Sequence, residues 1–263
     1  HALDWRRCVR ELDLALAADA TRPSGLEMSP PSIITGDPFA LQPGNCVLVM
    51  GINPKWPDEG MQRIDCIPAQ LAWEAGFEAY RTHRQPYFAE APGRPGRTNN
   101  ADPRYGRGHF SRLGNTLARA LGVGDEKWNA GSNARRFFRE HAAILDLIPY
   151  WSRNTGNLNL APALEHHCVQ LWRGVILAFI QNTGPKLIVV NNCGERDFNN
   201  AMLRCELKPA DATGFFIGRT NAGTPVLAHK FLNNWRGVTT ESYINRFQEA
   251  ARQLGITTPI LNQ

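Results

Sequence analysis

Nowhere in its 263 residues does the chain hold an uninterrupted apolar run near the 18 or so that a membrane helix needs. No basic stretch followed by an apolar one opens it, so no secretory signal and no membrane partner are expected. C-x-x-C pairs are missing too. The six cysteines (Cys8, Cys46, Cys66, Cys168, Cys193, Cys205) form no Cys/His cluster with zinc or iron–sulfur spacing. No metal and no cofactor are therefore expected. Cys46 and Cys168 lie in apolar runs and read as buried, reduced thiols of a cytoplasmic protein. No G-x-G-x-x-G follows the first apolar run and no P-loop occurs, which argues against a dinucleotide- or nucleotide-handling enzyme. Internal repeats and low-complexity tails are also lacking, which suggests a single monomeric domain over residues 1–263.

Charge is present, and it is concentrated. The whole chain carries a formal net charge of +5. The segment 81–112 alone accounts for that excess, with Arg81, Arg84, Arg94, Arg97, Arg104, Arg107 and Arg112 against only Glu90 and Asp102. Tyr87, Phe88, Tyr105 and Phe110 are interleaved with these arginines. Arginines alternating with aromatics suit phosphate neutralisation and base stacking, so DNA is the expected partner. The competing reading of the same residues is a solvated, proline-rich surface loop.

Four short apolar, β-branched runs read as buried strands: residues 46–50 (CVLVM), 143–148 (AILDLI), 187–190 (LIVV) and 225–228 (PVLA). Helical patterns cover residues 3–18, 70–81, 113–121, 132–140, 162–181, 196–204 and 240–254. Alternating strands and helices predict an α/β fold, a three-layer α/β/α arrangement around a central four-stranded, mainly parallel sheet. A basic loop insertion is expected at about 82–109. In such sheets ligands bind where the carboxyl ends of the strands meet their loops. Those ends carry Gly51-Ile52-Asn53-Pro54, Asp146-Leu147-Ile148-Pro149, Asn191-Asn192-Cys193-Gly194 and His229-Lys230-Phe231-Leu232. Each is also an ordinary turn sequence; four of them on one rim point to a site.

These loops, in this order, resemble the uracil-DNA glycosylase superfamily, closest to its mismatch-specific and single-strand-selective branches. Gly51-Ile52-Asn53-Pro54 is similar to a first motif whose asparagine positions the attacking water. Asp146-Leu147-Ile148-Pro149 stands where N-x-x-P reads the flipped base. Phe110-Ser111-Arg112-Leu113-Gly114-Asn115 resembles the segment opening the helix after the base-stacking loop, and Val226-Leu227-Ala228-His229 the strand leading into the last motif. The resemblance implies a monofunctional N-glycosylase that flips a base from DNA and hydrolyses its glycosidic bond. It makes Asn53 the water-positioning residue and His229 a donor to the departing base. Departures are plain. His229 is followed by Lys230 and Phe231 in place of Pro-Ser, and Lys55 and Trp56 follow the first motif in place of glycine or a blocking tyrosine.

Base recognition is expected from Asp146, Asn191 and Trp56, with stacking by Tyr87, Phe88 or Tyr105. DNA contacts are expected from Lys55, Arg94, Arg97, Arg104, Arg107, Lys230 and Arg236, with Phe231 and Leu232 filling the vacated stack. Asp146 is the telling departure. An asparagine offers a donor and an acceptor; a carboxylate accepts only. It suits the exocyclic amine of cytosine and repels the carbonyl of uracil. Ordinary cytosine cannot be the target in a cell's own genome, so a 5-substituted cytosine is expected. The resemblance then extends to anti-phage glycosylases acting on glucosylated hydroxymethylcytosine. Two alternatives stay open: a repair glycosylase for uracil or another deaminated base, and a catalytically silent DNA-binding module on the same fold.

Overall fold

The computed structural model describes residues 41–52, 90–91, 94–98, 109–124, 130–148, 158–191, 193–230, 238–257 and 259–261. Its elements in chain order begin with β1 (Val47–Gly51), β2 (Glu90–Ala91), β3 (Arg94–Thr98), α1 (His109–Ala120) and α2 (Ala130–Glu140). There follow β4 (Ala142–Asp146), α3 (Leu160–Glu165), α4 (His167–Thr183), β5 (Leu187–Asn191), a 3-10 turn (Cys193–Glu195) and α5 (Arg196–Leu203). The chain closes with β6 (Lys208–Pro209), β7 (Phe216–Arg219), β8 (Pro225–His229) and α6 (Thr240–Gln253).

The fold is α/β. Strand order is β4-β1-β5-β8-β7-β6. The first four strands are parallel, and up to their carboxyl-terminal residues they are apolar, as strands buried on both faces are. Alternate residues feed two cores. Leu48, Met50, Leu145, Ile188, Val190 and Ala228 pack with Trp172, Ile176 and Phe198 of α4 and α5. Val47, Val49, Ile144, Val189 and Leu227 pack with Leu117, Phe137, Tyr243 and Phe247 of α1, α2 and α6. Helices therefore cover both faces of the sheet.

Among the described residues the sheet is six-stranded and mixed, which corrects the expected four-stranded, mainly parallel sheet. The two additions, β7 and β6, run antiparallel on the outer side of β8. A tight turn joins β7 to β8, with Thr220 N donating to Thr224 O at 2.9 Å and Gly223 at φ 85°. This ribbon satisfies backbone groups that would otherwise form an open edge on β8. Within the 82–109 insertion β2 and β3 pair antiparallel, with β3 lying against α2. The helix expected over 162–181 is two helices. His166, at ψ 132°, ends α3 and caps α4 through its Nδ1, which accepts from Cys168 N at 3.3 Å. No described helix is long and apolar enough to cross a membrane.

Candidate base-binding rim

Strand register places four of the motif positions in one row. Gly51 pairs with Asp146 across β1 and β4, Met50 with Val190 across β1 and β5, and Asn191 with His229 across β5 and β8. Asp146, Gly51, Asn191 and His229 therefore sit at the same level on four adjacent strands, at the carboxyl end of the sheet. Their parity with Val49, Ile144, Val189 and Leu227 directs the row to the face covered by α1, α2 and α6. At about 4.8 Å between strands, the row spans about 14 Å.

The row has an open half and a closed half. Asp146 and Gly51 are half-buried. The Asp146 backbone is held from the opposite face, where the buried Trp172 donates from Nε1 to Asp146 O at 2.8 Å. Pairing continues past the strand ends. Leu147 N donates to Gly51 O at 2.9 Å and Ile148 N to Ile52 O at 2.7 Å, so the first and second motifs leave the sheet bonded to each other.

In the other half, Asn191 is 5% exposed and His229 is fully enclosed. The His229 ring meets Tyr243 edge-on (centroids 5.5 Å, 84°) and Phe215 at 5.9 Å. Its Nδ1 lies 2.7 Å from Lys230 O. A carbonyl only accepts, so Nδ1 carries a proton, and Nε2 of the neutral ring is then an acceptor. Donation from Nε2 to a departing base requires the doubly protonated ring. Burial holds the Tyr243 phenol well above its ordinary range, so it stays neutral beside the imidazole. Lys230 is exposed.

Of the other residues singled out from sequence, Arg94 and Arg97 fall on β3. Asn53, Lys55, Trp56, Tyr87, Phe88, Arg104, Tyr105, Arg107, Phe231, Leu232 and Arg236 lie outside the described residues. Motif residue Gly114 lies close against Ala134 and Phe138 of α2, and Asn115 Oδ1 accepts from Asn133 Nδ2 at 2.8 Å. Gly51, which sequence reasoning passed over as the lead-in to Asn53, turns out to border Asp146 directly.

A cavity of about 430 Å³ opens on the opposite face, lined by Leu160, Leu164, Phe198 and Phe216, with the Arg196 guanidinium 5.5 Å above the Phe216 ring. The sheet separates it from the row. Burial pushes the Cys46 and Cys205 thiols up to about 11, far from a reactive thiolate. Among the described residues no three His, Cys, Asp or Glu side chains are grouped to hold a metal ion. No protein-family model matches the chain, and no curated protein matches its sequence.

Proposed function

We propose that this protein is a DNA glycosylase that draws a modified cytosine into the rim and hydrolyses its N-glycosidic bond. The observation that carries this reading is the row itself. Four strand ends, carrying the loops that resemble the glycosylase motifs, are in register on one face, with the half-buried Asp146 in the open part. In the reaction the C1′–N bond breaks and its electron pair leaves with the base. A water adds hydroxide to the oxocarbenium-like C1′, and the water's remaining proton goes to solvent or to the base anion. A neutral Asn53 suffices to orient that water, because the cationic centre needs little general-base help. The Asp146 carboxylate accepts from the exocyclic amine. A 5-substituent such as a glucosylated hydroxymethyl group marks foreign DNA, which makes defence against phage the fitting role.

The test is alkali cleavage of unmodified, uracil-containing and glucosyl-hydroxymethylcytosine DNA after incubation with the protein. Strand breaks are expected in the modified-cytosine substrate. Asn53→Ala is expected to abolish them while leaving DNA affinity nearly intact. Near-normal turnover by Asn53→Ala overturns the motif assignment. One observation favours the silent DNA-binding module instead: His229 is enclosed, and its Nδ1–H is committed to Lys230 O. That reading predicts bound DNA with no abasic sites on any substrate.

A further inference from the structure

One position in the row has no side chain, and its backbone does not ask for glycine. Gly51 lies outside the left-handed region that glycine alone enters easily. What requires glycine is a neighbour. A Cβ built on Gly51 would collide with Oδ1 of Asp146 and stand 3.6 Å from its Cγ. Neither strand can slide to relieve that collision. β1 and β4 are paired along their whole length, the bonds from Leu147 and Ile148 extend the pairing, and Trp172 fixes the Asp146 carbonyl. The carboxylate thus leans over the end of β1 and away from the outer edge of β4.

We infer that Gly51 is a specificity-determining position: by lacking a Cβ it lets the Asp146 carboxylate lie across the centre of the rim, where it selects a pyrimidine bearing an exocyclic amine at position 4. This rests on the glycosylase reading. From β4 to β5 the row holds a half-buried carboxylate at Asp146, no side chain at Gly51 and a buried amide at Asn191, over two strand spacings or about 10 Å. A cytosine-type base entering the open half sets its exocyclic amine toward the carboxylate. A 4-keto pyrimidine sets carbonyl lone pairs against carboxylate lone pairs. An alanine at position 51 forces the carboxylate out of the slot without altering a single polar group.

The experiment compares single-turnover base release from two oligonucleotides that differ only at position 4 of the target: glucosyl-hydroxymethylcytosine and glucosyl-hydroxymethyluracil. Wild type is expected to prefer the amine. Gly51→Ala and Asp146→Asn are each expected to reduce that preference about 10- to 100-fold. Thermal melting supplies the second readout. Gly51→Ala is expected to melt close to wild type, because the colliding atom is the movable end of the Asp146 side chain, and so is the double variant Gly51→Ala/Asp146→Ala, in which the collided space is empty. Should Gly51→Ala alone not fold, the double variant must fold and must have lost the preference. Unchanged preference in Gly51→Ala, or in the double variant, overturns the inference. So does a wild type that releases both bases equally. A wild type that releases neither, while still binding DNA, overturns the glycosylase reading and this inference with it.

Discussion

Replacing Gly114 by alanine adds one methyl group where α1 lies tightly against Ala134 and Phe138 of α2. Its Cβ would stand 2.6 Å from Cε2 of Phe138, 2.7 Å from Cβ of Ala134 and 2.8 Å from Cα of Ala134. Carbon atoms rest at about 3.5–4.0 Å, so each approach is too short by roughly 1 Å. Phe138 can tilt; the two Ala134 atoms move only with the helix. Overpacking of this kind costs about 1–3 kcal/mol, and rigid partners push it to the upper end. Against that, alanine gains about 0.8–1.0 kcal/mol over glycine in helix propensity. The net is a loss of about 2 kcal/mol, or roughly 4–8 °C in melting temperature for a chain of this size. Gly174 is the control. It lies in α4 on an exposed face with nothing within 4 Å of its would-be Cβ, so alanine there keeps the propensity gain and raises the melting temperature by about 2–4 °C. The same substitution in two helices thus has opposite signs. Circular-dichroism melts of both variants decide it. A Gly114→Ala protein that melts at or above wild type refutes the close approach of α1 to α2 at this position.

Neutralising Arg94, Arg97, Arg104 and Arg107 together is expected to weaken DNA binding and flatten its salt dependence, by about 0.7–0.9 in log–log slope for each phosphate left without its cation. A quadruple variant with the wild-type slope returns the segment to a solvated surface. His141 should make stability fall in mild acid. It is buried between α2 and β4, its Nε2 has no hydrogen-bond partner among the described residues, and desolvation lowers its pKa below 6.5, with Glu140 opposing and Arg136 adding to the effect. The folded state therefore binds this proton less well than the unfolded chain does. Its contribution is complete above about pH 6.5 and is lost as pH falls from there through the folded pKa, with a slope of at most about 1.4 kcal/mol per pH unit. Urea unfolding at a series of pH values should show that slope, and His141→Gln should lessen it; an unchanged slope assigns the acid sensitivity elsewhere.

The four parallel strands were legible because each is buried twice. A residue such as Met50 faces α4 while Val49 faces α1, so the whole run had to be apolar and announced itself. β7 had no such signal. Phe216, Ile217 and Gly218 are half-buried and Arg219 is exposed, as an edge ribbon requires, and β6 is two exposed residues, one of them proline. The hairpin of β2 and β3 hid in a stretch read for its charge. At the site, which strand ends would cluster was readable from the motifs. Which of them face solvent was not. His229 is walled in by Phe215 and Tyr243, from segments 14 positions on either side of it in sequence, and only tertiary packing brings those rings together.

Strand order has a consequence for how the chain is made. Of the six strands in the sheet, β1 is the first to emerge from the ribosome, yet its two neighbours are β4 and β5. Val47 pairs with Ala142 on one side and with Leu187 on the other, about 95 and 140 positions downstream. At synthesis rates of about 5–20 residues per second, the second neighbour follows roughly 7–30 s later. For about the first 5–19 s of that interval Val47–Met50, four apolar residues in a row, waits without either of its partner strands, and for the rest of it with β4 alone. The helices that cover its two faces, α4 and α5 on one side and α1, α2 and α6 on the other, are all made after it as well. Nascent chains of this protein therefore spend seconds as clients for any holdase that recognises short apolar stretches, and expression at lower temperature, with slower aggregation and more chaperone per chain, should raise its yield.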